Sequence, residues 1–199
     1  MLIVGTGGLA KEVFGMVLKY KLSSDIIFYD ENKASPELLY NKYKVLHEEN
    51  EVQQYFSANT PEFIVGIGNP RIREKLTLKI RELGGISTNV ISTESAIFQF
   101  NNYSTATIIE PFVGISHALT IGEGCAIHIH ASIGHSAKIG KYVNIGPGAT
   151  IIGPIEIGDY TYIGAKSLVM PNIKIGKNVI IAAGVTVNKD LNDFETFLG

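Results

Sequence analysis

Four of the five histidines lie close together in the chain, between residues 117 and 135. Imidazole exchanges a proton near neutral pH, so a histidine held against a nucleophile can act as a general base. The same side chain also binds zinc, and His130 and His135 are close enough in sequence to suggest a shared metal ion. Which chemistry applies depends on the elements that position these side chains.

Those elements repeat every six residues. Of the seventeen positions taken at that interval from Ile91 to Val187, fourteen are Ile, two are Val and one is Tyr103. Glycine follows seven of them, namely at Gly122, Gly134, Gly140, Gly146, Gly158, Gly164 and Gly176. This hexapeptide pattern predicts a parallel β-helix in which three hexads close one triangular coil, so that residues three hexads apart stack. A β-helix that serves only as a scaffold would show the same pattern.

The stacking rule places His117, His135 and Gly153 in one column, each two residues after a repeat position. Glycine leaves the main chain uncovered, so the Gly153 N–H could stabilise an oxyanion that forms as His135 removes a proton. A zinc site of the carbonic-anhydrase type needs a further histidine two coils earlier, where Glu94 and Gln99 stand instead. The column therefore favours a general base beside an oxyanion contact, with no metal.

The first ninety residues show a different pattern, in which apolar strands alternate with amphipathic helices. The predicted strands are 1–4, 26–29 and 63–67. After an N-cap at Asn69 and Pro70 at the first helical position, a helix follows. The predicted buried faces of the two helices are Ala10, Val13, Phe14, Val17 and Leu18, and Ile72, Leu76, Ile80 and Leu83. This order predicts a Rossmann-like α/β half domain at 1–90, before a β-helix at 91–199.

The segment Gly5-Thr6-Gly7-Gly8-Leu9-Ala10 lies between the first strand and the first helix and matches the G-x-G-x-x-G/A pattern. Amides at such a helix start bind phosphate, and Asp30 at the end of the second strand could hold a ribose. Alone, this pattern indicates a nicotinamide dinucleotide site, but ninety residues leave little room for a second nucleotide half. A glycine turn with a purely structural role is a further alternative.

Composition excludes several classes of protein. Seventeen Lys plus Arg against nineteen Asp plus Glu give a net charge of −2, which offers no basic field for nucleic acid. The single cysteine, Cys125, can form no internal disulfide, and no apolar stretch approaches a membrane span. We expect a cytoplasmic protein without membrane insertion.

Three segments together resemble the sugar O- and N-acetyltransferases of the sialic-acid O-acetyltransferase and bacillosamine-pathway type. They are Gly5 to Val13, Gly66 to Arg73, and Gly134 to Ala149. The resemblance implies a left-handed β-helix, a homotrimer, and acetyl-CoA bound between subunits. It also implies that a nucleotide-linked amino sugar, usually a uridine diphosphate sugar, is N-acetylated in surface polysaccharide or glycan biosynthesis. O-acetylation of sialic acid or another sugar is the alternative within the family.

The resemblance also assigns roles to residues. It makes His135 the base, assigns the oxyanion contact to Gly153, and places the nucleotide at Gly7, Gly8, Asp30, Asn69 and Arg71. Acetyl-CoA is expected beside Asn144, Gly153, Gly164, Ala165, Ala182 and Ala183, most of which are small enough for close approach. The family has Asp or Glu after the base, whereas this chain has Ser136. That departure is the sequence support for another class of function, a catalytically silent scaffold that binds a nucleotide sugar.

Overall fold

The computed structural model describes residues 1–199, which form two compact units, Met1–Val90 and Ile91–Gly199. The first unit contains β1 (Leu2–Val4), α1 (Gly8–Lys19), β2 (Ile27–Tyr29), β3 (Leu38–Leu39), β4 (Tyr43–Leu46), α2 (Glu49–Ala58), β5 (Glu62–Val65), α3 (Pro70–Glu82) and β6 (Ile86–Ser87). None of its helices is long and apolar enough to cross a membrane.

The strands of the first unit form one sheet in the order β3-β4-β2-β1-β5-β6. All neighbours pair in parallel except β3 and β4, which form an antiparallel hairpin. Helices α2 and α3 cover the face that carries Leu2 and Val4. On the other face, Phe14 of α1 meets Phe28 edge to face, with ring centroids 5.4 Å apart. The unit is therefore a three-layer α/β domain.

Two of the predicted core positions in this unit are wrong. Leu18 is 44% exposed and Ile72 is 48% exposed. In α3 the buried face consists of Arg73, Leu76, Thr77 and Ile80, which still follows helical spacing but is rotated one residue from the apolar pattern. A buried arginine and threonine occupy positions that hydropathy alone does not select.

The second unit is a parallel β-helix with three sheets, as the hexapeptide repeat predicts, and it is left-handed, as the family resemblance implies. Sheet I contains β7 (Val90–Ile91), β10 (Ile108–Ile109), β13 (Ala126–Ile127), β16 (Asn144–Ile145), β19 (Tyr162–Ile163), β22 (Ile180–Ile181) and β24 (Thr196–Phe197). Sheet II contains β8 (Ala96–Ile97), β11 (Gly114–Ile115), β14 (Ser132–Ile133), β17 (Thr150–Ile151), β20 (Leu168–Val169) and β23 (Thr186–Val187). Sheet III contains β9 (Asn102–Tyr103), β12 (Thr120–Ile121), β15 (Ala137–Ile139), β18 (Ile155–Ile157) and β21 (Lys174–Ile175).

Each coil passes from sheet I to II to III, and we name its turns the I–II, II–III and III–I corners. The repeat residues from Ile109 onward point inward and are almost fully buried, whereas Tyr103 is 36% exposed. A residue with φ near +60° follows most strands and turns the chain, as at His130, Ser136 and Tyr142. The last coil is two residues shorter, because Phe197 pairs with Ile181.

The outward residues differ between the three sheets. Sheet III carries a charged ladder in which Lys138 bonds Glu156 at 3.1 Å, with Lys174 on the other side at 3.8 Å. The exposed residues at the corresponding positions of sheets I and II are uncharged, for example Tyr162 and Ser132. Sheet III therefore suits solvent, and sheets I and II suit contact with another surface.

Candidate active site

His135 lies on the II–III corner, two residues after the buried Ile133. Because β11, β14 and β17 pair in register, the predicted column of His117, His135 and Gly153 is confirmed. The rings of His117 and His135 stack, with centroids 5.7 Å apart and planes 20° apart. His135 is exposed, so its imidazole is accessible to a substrate.

Ser136 supports the His135 ring only weakly. Its Oγ lies 3.3 Å from His135 Nδ1, which is long for a hydrogen bond to nitrogen. Its backbone N–H donates to the His117 carbonyl oxygen at 3.1 Å, and its φ is +57°. The contact with Nδ1 leaves Nε2 of His135 as the nitrogen that can exchange a proton with a substrate.

Gly153 packs directly on the backbone of the coil before it. A Cβ at this position would collide with the His135 carbonyl oxygen, so glycine is required for the close approach. The Gly153 N–H makes no hydrogen bond within the chain. Pro154 follows through a cis peptide bond and has no N–H, so it does not repeat the bond that Ser136 makes to His117. Gly153 is nonetheless buried, so an oxyanion contact to its unpaired amide stays a prediction.

A groove of about 350 Å³ runs along the outer surface of sheet II next to this column. Small residues form its floor, and Phe98 and Ile152 stand at its two ends. Its lining is Ala96, Phe98, Gly114, Ile115, Ser116, Ser132, Ile133, Gly134, Thr150, Ile151 and Ile152. The groove is therefore an apolar surface that reaches the backbone beside His135.

The residues predicted to contact acetyl-CoA separate into two groups. Gly153 lies with His135, whereas Gly164, Ala165, Ala182 and Ala183 follow sheet I strands and lie on the I–II corner. A Cβ on Gly164 would lie 2.5 Å from Ala183 N, so these coils pack closely. Asn144 is only 4% exposed, in β16 of sheet I. Within one chain, sheet II separates this small-residue corner from His135.

The I–II corner also contains a pair that the sequence analysis missed. Glu110 is 5% exposed, and its two carboxylate oxygens meet His128 Nδ1 at 2.9 Å and the Ile129 N–H at 2.8 Å. The one signal that could have found the pair is register, because Glu110 and His128 lie three hexads apart. This chain therefore does support an imidazole with a carboxylate, but the imidazole is that of His128.

His130 and His135 lie at opposite ends of β14, on different corners. His130 stacks on Phe112, with ring centroids 5.3 Å apart. His130 and His135 therefore do not form the shared zinc site that their spacing in the sequence suggested.

In the first unit, Gly7 is the N-cap of α1 and makes no side-chain capping bond. Gly7 and Gly8 are exposed, and a Cβ on either would meet nothing within 4 Å. The tight fits belong instead to Gly5, with φ +102°, and to Gly66, where a Cβ would lie 2.5 Å from Ala10 Cα. The first amides of α1 are thus open to an anion.

Asp30 ties the glycine turn to the end of β2. Its carboxylate accepts hydrogen bonds from Thr6 Oγ1 at 2.5 Å and from the Asn32 N–H at 3.0 Å. His47 Nδ1 lies 2.8 Å from its carbonyl oxygen. The predicted ribose ligand therefore already has a structural role, and the half-buried carboxylate has two partners.

Beyond Asp30, a hollow of about 570 Å³ lies at the ends of β2 and β4. Lys79 crosses it, with Nζ 2.8 Å from a Glu31 oxygen and 2.9 Å from a Glu49 oxygen. These hydrogen bonds raise the pKa of Lys79, so its charge is retained there. The hollow lies at the carboxyl ends of parallel strands, which is the edge where such sheets bind ligands.

Asn69 caps α3, as predicted, and its Oδ1 accepts from the N–H groups of Arg71 at 3.0 Å and Ile72 at 3.2 Å. The amides that would bind an anion at this helix start are therefore already satisfied. Arg71 is exposed, whereas Arg73 is 1% exposed and donates through Nη1 to the carbonyl oxygens of Ile67 and Gly68. The sequence analysis missed this buried arginine, which fixes the loop after β5.

Two family models match the chain in consecutive parts. The PglD N-terminal domain matches residues 1–80, and the bacterial transferase hexapeptide (six repeats) matches residues 118–153 and 154–189. Both parts of the chain are therefore similar to hexapeptide-repeat sugar acetyltransferases. These matches confirm the resemblance seen in the sequence.

Solved structures with the same fold cover nearly the whole chain. A variant of perosamine N-acetyltransferase from Caulobacter crescentus, in complex with CoA and GDP-perosamine, has a TM-score of 0.90 at 22% identity and covers 100% of this chain and 92% of its own. The acetyltransferase domain of PglB from Neisseria gonorrhoeae, with acetyl coenzyme A, has a TM-score of 0.87 at 20% identity over 98% and 93%. WeeI from Acinetobacter baumannii has a TM-score of 0.90 at 26% identity over 100% and 95%. No curated protein sequence matches the chain at a significant level.

Proposed function

We propose that this protein transfers the acetyl group of acetyl-CoA to the amine of a nucleotide-linked amino sugar. The observation that carries the proposal is the II–III corner, where an accessible imidazole lies against a glycine whose amide makes no hydrogen bond within the chain. Two similarly folded proteins bind CoA with GDP-perosamine or acetyl coenzyme A. Their ligands support the substrate class for this chain.

In the proposed reaction the sugar amine attacks the acetyl carbonyl carbon while His135 Nε2 takes a proton from the nitrogen. The Gly153 N–H donates to the oxyanion of the tetrahedral intermediate. The carbon–sulfur bond then breaks, and the proton passes from His135 to the CoA thiolate. The products are the N-acetylated sugar and CoA, and no covalent enzyme intermediate forms. Positioned base catalysis of this kind contributes about 10²- to 10⁴-fold.

The nucleotide is proposed to bind the first unit, with its phosphates at the open amides of α1 near Gly7 and Gly8. The nucleoside would then extend past Asp30 into the hollow beyond β2. Arg71 is exposed at the start of α3 and could pair with a phosphate. The Asn69 side chain already accepts hydrogen bonds from the first amides of α3. The start of α1 is therefore the stronger of the two anion sites.

We further propose a homotrimer in the cytoplasm, where acetyl-CoA and nucleotide sugars are available. The uncharged sheets I and II expose Ile152, Tyr162 and Ile180 at 38%, 41% and 51%, which suits a surface shared between subunits. A second subunit could bring its small-residue corner to the His135 of the first, which one chain cannot do. Sedimentation velocity tests this assembly.

The substrate class is tested by acetyl-CoA turnover on a panel of UDP- and GDP-linked amino sugars, with the matching hydroxy sugars as controls. We expect release of CoA with the amino sugars of at least one nucleotide and little with the hydroxy sugars. Faster turnover of a hydroxy sugar would indicate O-acetylation. Binding of a nucleotide sugar without any CoA release would indicate the silent scaffold.

A further inference from the structure

The side chain that lies against the His135 ring is His117, one coil earlier. The two planes are within 20° of parallel, and their centroids are 5.7 Å apart. On the opposite side of the column stands Gly153, which has no side chain. His117 is therefore the column neighbour that can restrict the ring of His135.

Few other contacts restrict that ring. Ser136 Oγ, 3.3 Å from Nδ1, is the only hydrogen-bond partner of the imidazole within the chain. The serine itself depends on His117, because its N–H donates to the His117 carbonyl oxygen at 3.1 Å. The ring of His117 has the same kind of partner, with Ser116 Oγ 3.4 Å from its Nδ1. Residue 117 therefore takes part in both contacts that hold His135. Its ring stacks on the imidazole, and its carbonyl oxygen accepts the backbone hydrogen bond of Ser136.

We propose that His117 is a positioning residue that holds the His135 imidazole in its reactive orientation by stacking on it. The inference rests on the proposed function. In this scheme the His117 ring orients the imidazole, a task that a carboxylate at position 136 would otherwise perform. Stacks between aromatic rings shift a conformational equilibrium about two- to tenfold, so the same range is expected in kcat. His117 exchanges no proton with substrate in this scheme.

The test compares His117→Ala with His117→Phe. Alanine removes the stack, whereas phenylalanine keeps a stacked ring that cannot carry a proton. We expect kcat to fall about two- to tenfold in His117→Ala, with the KM for acetyl-CoA unchanged, and to return close to the parent value in His117→Phe. The matched control is His130→Ala, which removes another histidine stacked on an aromatic ring and should leave kcat within about twofold of the parent.

A loss of about a hundredfold in both His117 variants would overturn the proposal and make His117 a base. An unchanged kcat in His117→Ala would overturn it as well. The Cε1–H resonance of His135, assigned with His135→Ala, tests the stack without any substrate: it should move in His117→Ala and much less in His117→Phe. If the parent turns over no amino sugar, the proposed function fails, while an unmoved resonance in His117→Ala contradicts the positioning by itself.

Discussion

Two histidines on neighbouring corners of the β-helix show how differently the same side chain can be held. His128 has 18% of its side chain exposed, and its Nδ1 lies 2.9 Å from the buried Glu110 carboxylate. His135 is exposed, and its only hydrogen-bond partner is a serine hydroxyl at the long distance of 3.3 Å. A partly buried imidazole bound to a carboxylate stabilises a corner, whereas an accessible imidazole beside an unpaired amide is available for chemistry. The difference separates structure from catalysis, and it can be tested at both corners.

The largest effect is expected from His135→Ala, because the base acts on the transition state. We expect kcat to fall by at least about a hundredfold while the Kd for acetyl-CoA, measured by calorimetry, stays nearly unchanged. The melting temperature should also hold, since the side chain is exposed. If the variant retains more than a tenth of the parent rate, the base is another residue, and His135 does not differ from His128 in catalysis.

Glu110→Ala should lower the free energy of unfolding and leave activity nearly unchanged, which is the reverse of what we expect for His135→Ala. Removing the carboxylate leaves the Ile129 N–H and His128 Nδ1 without their acceptor, at a cost of about 2–4 kcal/mol in the free energy of unfolding. Urea denaturation measures this loss, and hydrogen exchange should become faster at the Ile129 amide. We expect kcat per folded molecule to stay within about threefold of the parent.

The matched control for that change is Glu156→Ala on sheet III. Hydrogen bonding from Lys138 lowers the pKa of Glu156, yet both side chains are exposed, so the loss in the free energy of unfolding should be much smaller than at Glu110. Equal losses at Glu110 and Glu156 would contradict the structural role of the buried pair. A hundredfold loss of kcat in Glu110→Ala with normal stability would place His128 in the chemistry.

How much of this was predictable differs between the two units. In the β-helix, neighbours follow from arithmetic, so the column of His117, His135 and Gly153 could be derived from spacing alone. Glu110 was missed because a carboxylate next to a repeat residue carries no local sign of its partner one coil away. Knowledge of register still does not say which pairs come within bonding distance.

The α/β domain depends more on tertiary context. The first strand, the glycine turn and the Asn69 cap follow from local signals, and all three are present. The hairpin of β3 and β4 and helix α2 lie in a stretch with weak periodicity, for which no element was predicted. Ile72 and Leu18 were expected in the core because they are apolar, but the position of the sheet decides which face of a helix is buried. Arg73 is buried for the same reason.

The smallest change in kcat is expected from substitutions at Ser136. They test whether a carboxylate partner makes His135 behave like His128. Ser136→Asp would give His135 the kind of partner that His128 already has. Asp tolerates the left-handed φ of this position better than most residues, and Ser136→Asn is its uncharged control. A carboxylate favours the protonated imidazole, so the acidic limb of the kcat profile should move to higher pH in the Asp variant and not in the Asn variant. At mildly alkaline pH, kcat of Ser136→Asp should not fall. An acidic limb that stays in place in Ser136→Asp would mean that residue 136 does not contact the reacting imidazole, and that another group orients it.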